Sequence, residues 1–320
     1  MVPKEINTED LLKDKKISAN KYLSHLVDPL YMIYQELYHK TNYTNKSVTL
    51  NNDNKILIPI TEDKNEKYSF YGNPIKIISD NHISKIDYLE IQNYFEKIKS
   101  EKLFIFEIKD ESNLINNNFE QIEKIFYEIN IDLFESIEKI KSNFSSNTRN
   151  EIKRNYEDSK YEIIDKKNYK KDQIFEMMDL HIKISGKKTR TEHSWKQNEK
   201  MIMNDRGFLI KVTYKGKLVS YSFFFYNDVT CRYFSSVSNR EYYKLIKNMH
   251  HKTLWMAINF VKEKCKFFNI GEITIFSKKD ITDKEKNIEK FKKKFKGINS
   301  KFVVLNSFPE YNFYKKFILG

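Results

Sequence analysis

Apolar positions along this 320-residue chain change their period several times, and each change marks an element. Leu23, Leu26, Leu30, Ile33 and Leu37 lie near helical spacing and predict a helix over residues 22–38. Ile56 to Ile60 and Tyr68 to Tyr71 read as strands, followed by a turn at Gly72, Asn73 and Pro74. Ile83 to Ile98 reads as a helix, with Ile86, Leu89, Tyr94 and Ile98 on its apolar face. Leu103 to Ile108 is apolar almost throughout and suits a buried strand. Phe119 to Ile129 reads as a helix and Ile131 to Phe134 as a short strand.

The second half alternates more cleanly. Phe144 to Asp158 reads as a basic helix, Tyr161 to Ile164 as a strand, and Asp172 to Ile184 and His193 to Met203 as helices. Three strands then follow: Gly207 to Tyr214, Lys217 to Tyr226 and Val229 to Val237. They are joined by turns at Lys215-Gly216 and Asn227-Asp228. Leu245 to Phe268 predicts a long helix striped by Met249, Leu254, Ile258, Val261 and Cys265. After a strand at Glu272 to Phe276, a helix from Thr282 to Phe295 opens with the Thr282/Glu285 capping-box spacing and is closed by Gly297. Lys301 to Leu305 is the last strand, and Glu310 to Ile318 a closing amphipathic helix. Three antiparallel strands followed by a helical crossover imply a mixed sheet, hence an α/β or α+β layer architecture.

Composition narrows the classes. With 40% apolar and 15% aromatic residues the chain has material for a core, so general disorder is excluded. Cys231 and Cys265 are the only cysteines, which excludes a disulfide scaffold, and no metal-ligand spacing occurs. No apolar run of about 18 residues exists and the first 16 residues lack an apolar signal core, so a cytoplasmic location is expected. The formal net charge is +13, but it is unevenly placed: residues 1–148 net −5 and residues 149–320 net +18. All six Arg (Arg149, Arg154, Arg190, Arg206, Arg232 and Arg240) fall in the second half, against 51 Lys spread over the chain. Lys excess of this kind fits genome bias and wet helix faces. Arg clustering points to an anionic ligand, because the guanidinium fork matches phosphate and carboxylate.

The order from Tyr161 onward, β-α-α-β-β-β-α-β-α-β, is that of the GNAT acyltransferase fold. Four segments make the likeness more specific: Tyr68 to Ile75 (YSFYGNPI), Phe144 to Asp158 (FSSNTRNEIKRNYED), Thr191 to Gly207 (TEHSWKQNEKMIMNDRG) and Phe291 to Gly297 (FKKKFKG). In this order they resemble motifs of the FemAB-like acyltransferases, built from two GNAT-type domains in tandem. The resemblance implies a partial GNAT-like domain over 1–143 and a complete one over 144–320. It also implies transfer of an acyl or aminoacyl group, from acyl-coenzyme A or aminoacyl-tRNA, to an amine. The expected acceptor is a phosphate-bearing, nucleotide- or lipid-linked amino sugar or glycan precursor of the cell envelope. Contact with tRNA or with the inner face of a membrane is compatible with it; DNA is not expected. Two departures stand out. Lys296 separates Phe295 from Gly297, and Ser238 to His250, where acyl-coenzyme A enzymes carry a glycine-rich phosphate loop, has no glycine.

Candidate chemistry follows from that frame. Glu272, His250 and Tyr233 are the catalytic acid–base candidates, with Tyr242, Tyr243 and His251 beside them; in a chain with 21 Tyr, packing is the alternative role of any one. His250 and His251 project about 100° apart on a helix, so at most one is expected to face a site. Arg240, Lys244, Lys247 and Ser235 are the candidate donor-binding residues. Arg149, Lys153 and Arg154 form a candidate anion clamp, or else a solvated basic face. Lys187, Lys188, Arg190, His193 and Trp195 form a basic–aromatic cluster for the acceptor, or a Trp anchor for its helix. Lys290, Lys292, Lys293, Lys294 and Lys296 flank Phe291 and Phe295 as a polyanion contact or a wet helix face. No metal is expected. The competing reading is a non-catalytic basic nucleic-acid-binding or scaffold protein on the same fold.

Overall fold

The computed structural model describes residues 119–318 without a break. Before them it describes His25, 28–40, 84–97, 104–108 and 111–116, with isolated residues and short strand segments between Lys4 and Ser79. The turn at 72–74 lies outside the described residues, as does most of the segment 68–75.

A nine-stranded mixed sheet organises the molecule. In chain order its strands are β1 (Ile75–Lys76), β2 (Phe104–Ile108), β3 (Ile122–Asp132), β4 (Ser159–Ile164), β5 (Gly207–Tyr214), β6 (Lys217–Tyr226), β7 (Thr230–Ser238), β8 (Phe267–Ser277) and β9 (Ile298–Leu305). Across the sheet they run β4-β5-β6-β7-β8-β3-β9-β2-β1. The pairs are antiparallel except β7–β8 and β1–β2. The sheet therefore joins strands from both sides of residue 143.

Side-chain alternation assigns the two faces. On β6, Tyr221, Phe223 and Phe225 enter one core, while Phe224 and Tyr226 enter the other. The first core is covered by α1 (Pro29–His39), α5 (Gln173–Ser185) and α6 (Glu192–Met203), through Tyr31, Tyr34, Ile174, Met177, Trp195 and Ile202. The second is covered by α3 (Ile137–Asn143), α4 (Ser146–Lys153) and α7 (Met249–Val261), with Phe291 and Phe295 from α8 (Asp283–Lys292) and the 3-10 turn after it. A third core lies under α2 (Lys85–Lys97) and the C-terminal helical turns, with Tyr88, Ile91, Phe104, Leu305 and Phe317.

Four expectations are corrected. Residues 122–132 are a strand, not a helix: Ile122, Ile125, Phe126 and Ile129 mimic a helical stripe, but register shifts near Ile122 and Ile125 let a strand bury all four. Pairing on both edges, to β8 and β9, overrides the local pattern. The long helix expected from Leu245 begins only at Met249 and ends at Val261, because Asn248 takes a left-handed conformation (φ 56°) and Phe267 already belongs to β8. The basic helix expected over Phe144–Asp158 is shorter: α4 begins at Ser146, capped by Ser145, and ends at Lys153, because Arg154 turns extended (φ −68°, ψ 126°). The helix expected over 22–38 begins at Pro29, which Asp28 caps. The capping box at Thr282 and Glu285 forms as its spacing predicts.

Candidate functional site

β7 and β8 pair over only three residues, Thr230–Arg232 with Phe267–Asn269. Beyond them β7 stays with β6 while β8 follows β3, so the sheet opens as a wedge and β7 from Tyr233 to Ser238 faces no strand on that side. A cavity of about 1240 Å³ fills the wedge. Its walls come from both faces of the sheet: His181, Ile184 and Ser185 of α5 on one side, and the start of α7 with Phe291 of α8 on the other.

Four of its lining residues are Lys or Arg (Arg240, Lys247, Lys284 and Lys292), and none is Asp or Glu. A one-sign cavity with apolar walls attracts anions strongly. The phosphate-loop position is filled by a 3-10 turn, Arg240–Lys244, and by Asn248, whose positive φ does what a glycine would. Asn248 makes no side-chain cap, the His251 N–H donates to Asn248 O (2.9 Å), and Asn248, Met249 and His250 bring the positive end of α7 to the cavity wall.

Both histidines line this cavity, contrary to the expectation that at most one can, because the cavity wraps around the first turn of α7. Their protonation is set by neighbours. Ser220 Oγ donates to Val237 O (2.9 Å), so it accepts from Ser238 Oγ (2.9 Å), which in turn accepts from His250 Nε2 (3.0 Å). That relay leaves His250 Nδ1 as a buried lone pair with no partner among the described residues. Burial, with the neighbouring His251, pushes the His250 pKa down to about 4, so it is neutral near pH 7. His251 Nδ1 donates to Asn248 O (3.1 Å), which likewise leaves Nε2 as a lone pair. The ring lies beside Phe291 and stacks on Phe295.

Lys292 reaches the wedge from α8. Its Nζ donates to Glu272 O (3.0 Å), and burial lowers its pKa. Tyr233 lines the cavity and stacks on Phe224; burial raises its phenol pKa, so it remains a proton donor. Ser235 also lines it, its Oγ buried and without a described partner.

Other candidates lie elsewhere. Glu272 does not line the cavity; its carboxylate pairs with Lys124. Lys244 is exposed on the 3-10 turn. Arg149 donates to the carbonyls of Ser142 and Phe144 at the end of α3, and Arg154 pairs with Glu151 (3.1 Å). Lys153, next to it, is exposed at the end of α4. Arg190 lies over Trp195 (5.0 Å) and Tyr38 (5.8 Å), and Trp195 is buried, edge-on to His181. Lys292 was legible only as one lysine in a basic helix; its depth in the wedge has no sequence signal. Among the described residues, no group of three His, Cys, Asp or Glu could hold a metal, and no helix is long and apolar enough to cross a membrane.

No family model matches the sequence, and no curated protein matches it significantly. Solved structures do match. The crystal structure of FemX superposes over 98% of this chain and 99% of its own, at 11% identity and a TM-score of 0.55. A tandem GNAT protein from the clavulanic acid biosynthesis pathway covers 97% and 98%, at 8% identity and a TM-score of 0.52. L-PGS from Bacillus licheniformis covers 98% and 96%, at 13% identity and a TM-score of 0.51. The chain thus has a FemAB-like, tandem GNAT fold.

Proposed function

We propose that this protein is an acyltransferase that moves an acyl group from an anionic activated carrier to an amine on a phosphate-bearing amino sugar or glycan precursor. The observation that carries the reading is the wedge between β7 and β8: it opens both faces of the sheet into one cavity lined by cations. A donor and an acceptor can meet there from opposite sides. In this reading residues 144–320 are the catalytic unit and residues 1–143 support it.

The donor lies along the open edge of β7 with its phosphates toward the start of α7, where Arg240, Lys247 and the positive end of the helix favour negative charge. Acyl-coenzyme A and aminoacyl-tRNA share that chemistry. The carbonyl oxygen takes hydrogen bonds from the unpaired edge of β7, with the Lys292 ammonium nearby to stabilise the oxyanion. The acceptor amine attacks the carbonyl carbon and passes a proton to His250 Nδ1. The bond from acyl carbon to carrier oxygen or sulfur then breaks, and the Tyr233 phenol protonates the leaving atom.

The test is direct. Purified protein is incubated with amino-sugar nucleotides and either acetyl-coenzyme A or charged tRNA, and amide product is followed by mass spectrometry. Product formed by the wild type and lost in Lys292→Met supports the reading. No product with any pair, together with no binding of coenzyme A or tRNA, removes it.

A further inference from the structure

At the root of the wedge lies a polar cluster that the proposed reaction does not use. Arg232 and Asn269 are the last β7–β8 pair before the strands part. Asn269 is buried, and its Nδ2 donates to Glu128 Oε2 (3.0 Å) and to Asn130 Oδ1 (2.8 Å), which ties both β3 side chains to β8. Glu128 Oε1 faces Arg232 Nη2 at 3.8 Å. Arg232 Nη1 lies 2.6 Å from His25 Nε2; arginine can only donate, so that ring nitrogen accepts and brings no negative charge. The ion-pair partner of Arg232 is therefore Glu128.

A second cation comes close to the same carboxylate. Lys292 Nζ donates to Glu272 O (3.0 Å), and Glu272 stands directly opposite Glu128 in the β3–β8 ladder. Opposite residues of an antiparallel pair have Cα atoms about 5 Å apart, so the amine is anchored one strand away from Glu128. Local backbone admits it. The register slips between Ile129 and Asn130, which makes Ile270 a bulge, and Gly271 follows at φ +99° with no side chain where the lysine arrives. The other charged groups around Lys292 come from three elements. The Glu272 carboxylate on β8 pairs with Lys124, and Glu289 on α8 accepts from the Thr274 N–H (2.8 Å). Burial lowers the pKa of both α7 histidines, His250 and His251. Burial lowers the Lys292 pKa most; Glu272 raises it, Arg232 lowers it, and Glu128 and Glu289 raise it.

We infer that Glu128 is a positioning residue that keeps Lys292 an ammonium inside the cavity: fixed by Asn269, it offsets Arg232, whose charge would otherwise drive the proton off the lysine. The use of that ammonium at an oxyanion rests on the proposed reaction; its charge does not, and the charge is read without turnover.

The full chain is treated at pH 8 with a trace of isotope-labelled acetic anhydride, which reacts with the neutral amine alone. Labelling at Lys292 is quantified by mass spectrometry, with the exposed Lys293 as internal reference. Glu128→Gln keeps an acceptor for Asn269 and removes the charge, so Lys292 should react at least about fivefold faster. Arg232→Gln should make it react at least about fivefold slower, and the two changes together should return it to within about twofold of wild type. A side chain that only braced the wedge would, on removal, expose Lys292 and speed its labelling in all three variants. Unchanged labelling in Glu128→Gln overturns the inference, as does a change of the same sign in all three. Opposite signs that cancel in the double variant, with kcat of Glu128→Gln equal to wild type at every pH, support the inference and remove the oxyanion role of Lys292 instead.

Discussion

Gly271 is the most informative single position. It sits in β8 at the wedge with φ +99°, a conformation that side chains rarely adopt. A Cβ placed there lies 2.9 Å from Lys292 Nζ. Gly271→Ala therefore does two separable things. The backbone strain costs about 1–3 kcal/mol, worth a melting-temperature drop of a few degrees in a chain of this size. The contact also requires the ammonium to recede by roughly 0.5–1 Å toward an ordinary van der Waals distance, which lengthens its 3.0 Å bond to Glu272 O. If Lys292 stabilises the oxyanion, a displacement of that size lowers kcat by roughly 10- to 100-fold, with the donor Kd changed much less. Gly216→Ala is the matched control: its φ is +74° and nothing lies within 4 Å of the added methyl, so it carries strain without contact. The assay pairs thermal unfolding with single-turnover kinetics of both variants. A Gly271→Ala protein that melts lower but keeps its kcat refutes the role given to Lys292, as does an equal kcat loss in Gly216→Ala.

Other expectations follow from the same geometry. His250 titrates near 4 in the fold against about 6.5 when unfolded, so the unfolded chain binds more protons between those values. Stability is therefore full above pH 6.5 and falls as pH drops toward 4; His250→Phe should remove roughly 3 kcal/mol of that dependence, read by urea unfolding across the range. Arg240→Gln with Lys247→Gln should raise the donor KM at least about tenfold with kcat nearly unchanged, because the two cations hold a distant part of the carrier. Arg149→Ala should cost about 1–2 kcal/mol of stability through the lost carbonyl bonds at the end of α3 and leave KM unaltered; a raised KM would restore the anion-clamp reading. Gly297→Ala should destabilise by about 1–3 kcal/mol in chemical denaturation, since its Cβ falls 2.6 Å from Asn130 O, a backbone atom that cannot swing away.

Much of this molecule was written locally. The strand–helix order after residue 159, the turn at Lys215-Gly216, the Thr282 cap and the fold class all follow from spacing and turn residues, because each depends on contacts a few residues apart. The clustering of Arg240 and Lys247 near the start of α7 was legible for the same reason. What the sequence could not decide is what distant segments do to one another. Residues 122–132 carry a helical stripe and become a strand because β8 and β9, from more than 130 residues downstream, take up both its edges. Arg149 looks like a ligand-binding residue on a helical wheel, yet its guanidinium is used on the carbonyls of the preceding helix. Glu272 reads as a catalytic carboxylate until Lys124 is brought beside it, and Lys292 reads as one lysine among five until α8 carries it into the wedge. Sequence period and capping determine which elements form. Which edges pair, and where the sheet parts to admit a ligand, is set by packing energy summed over the whole sheet, and that sum exists only in the folded chain.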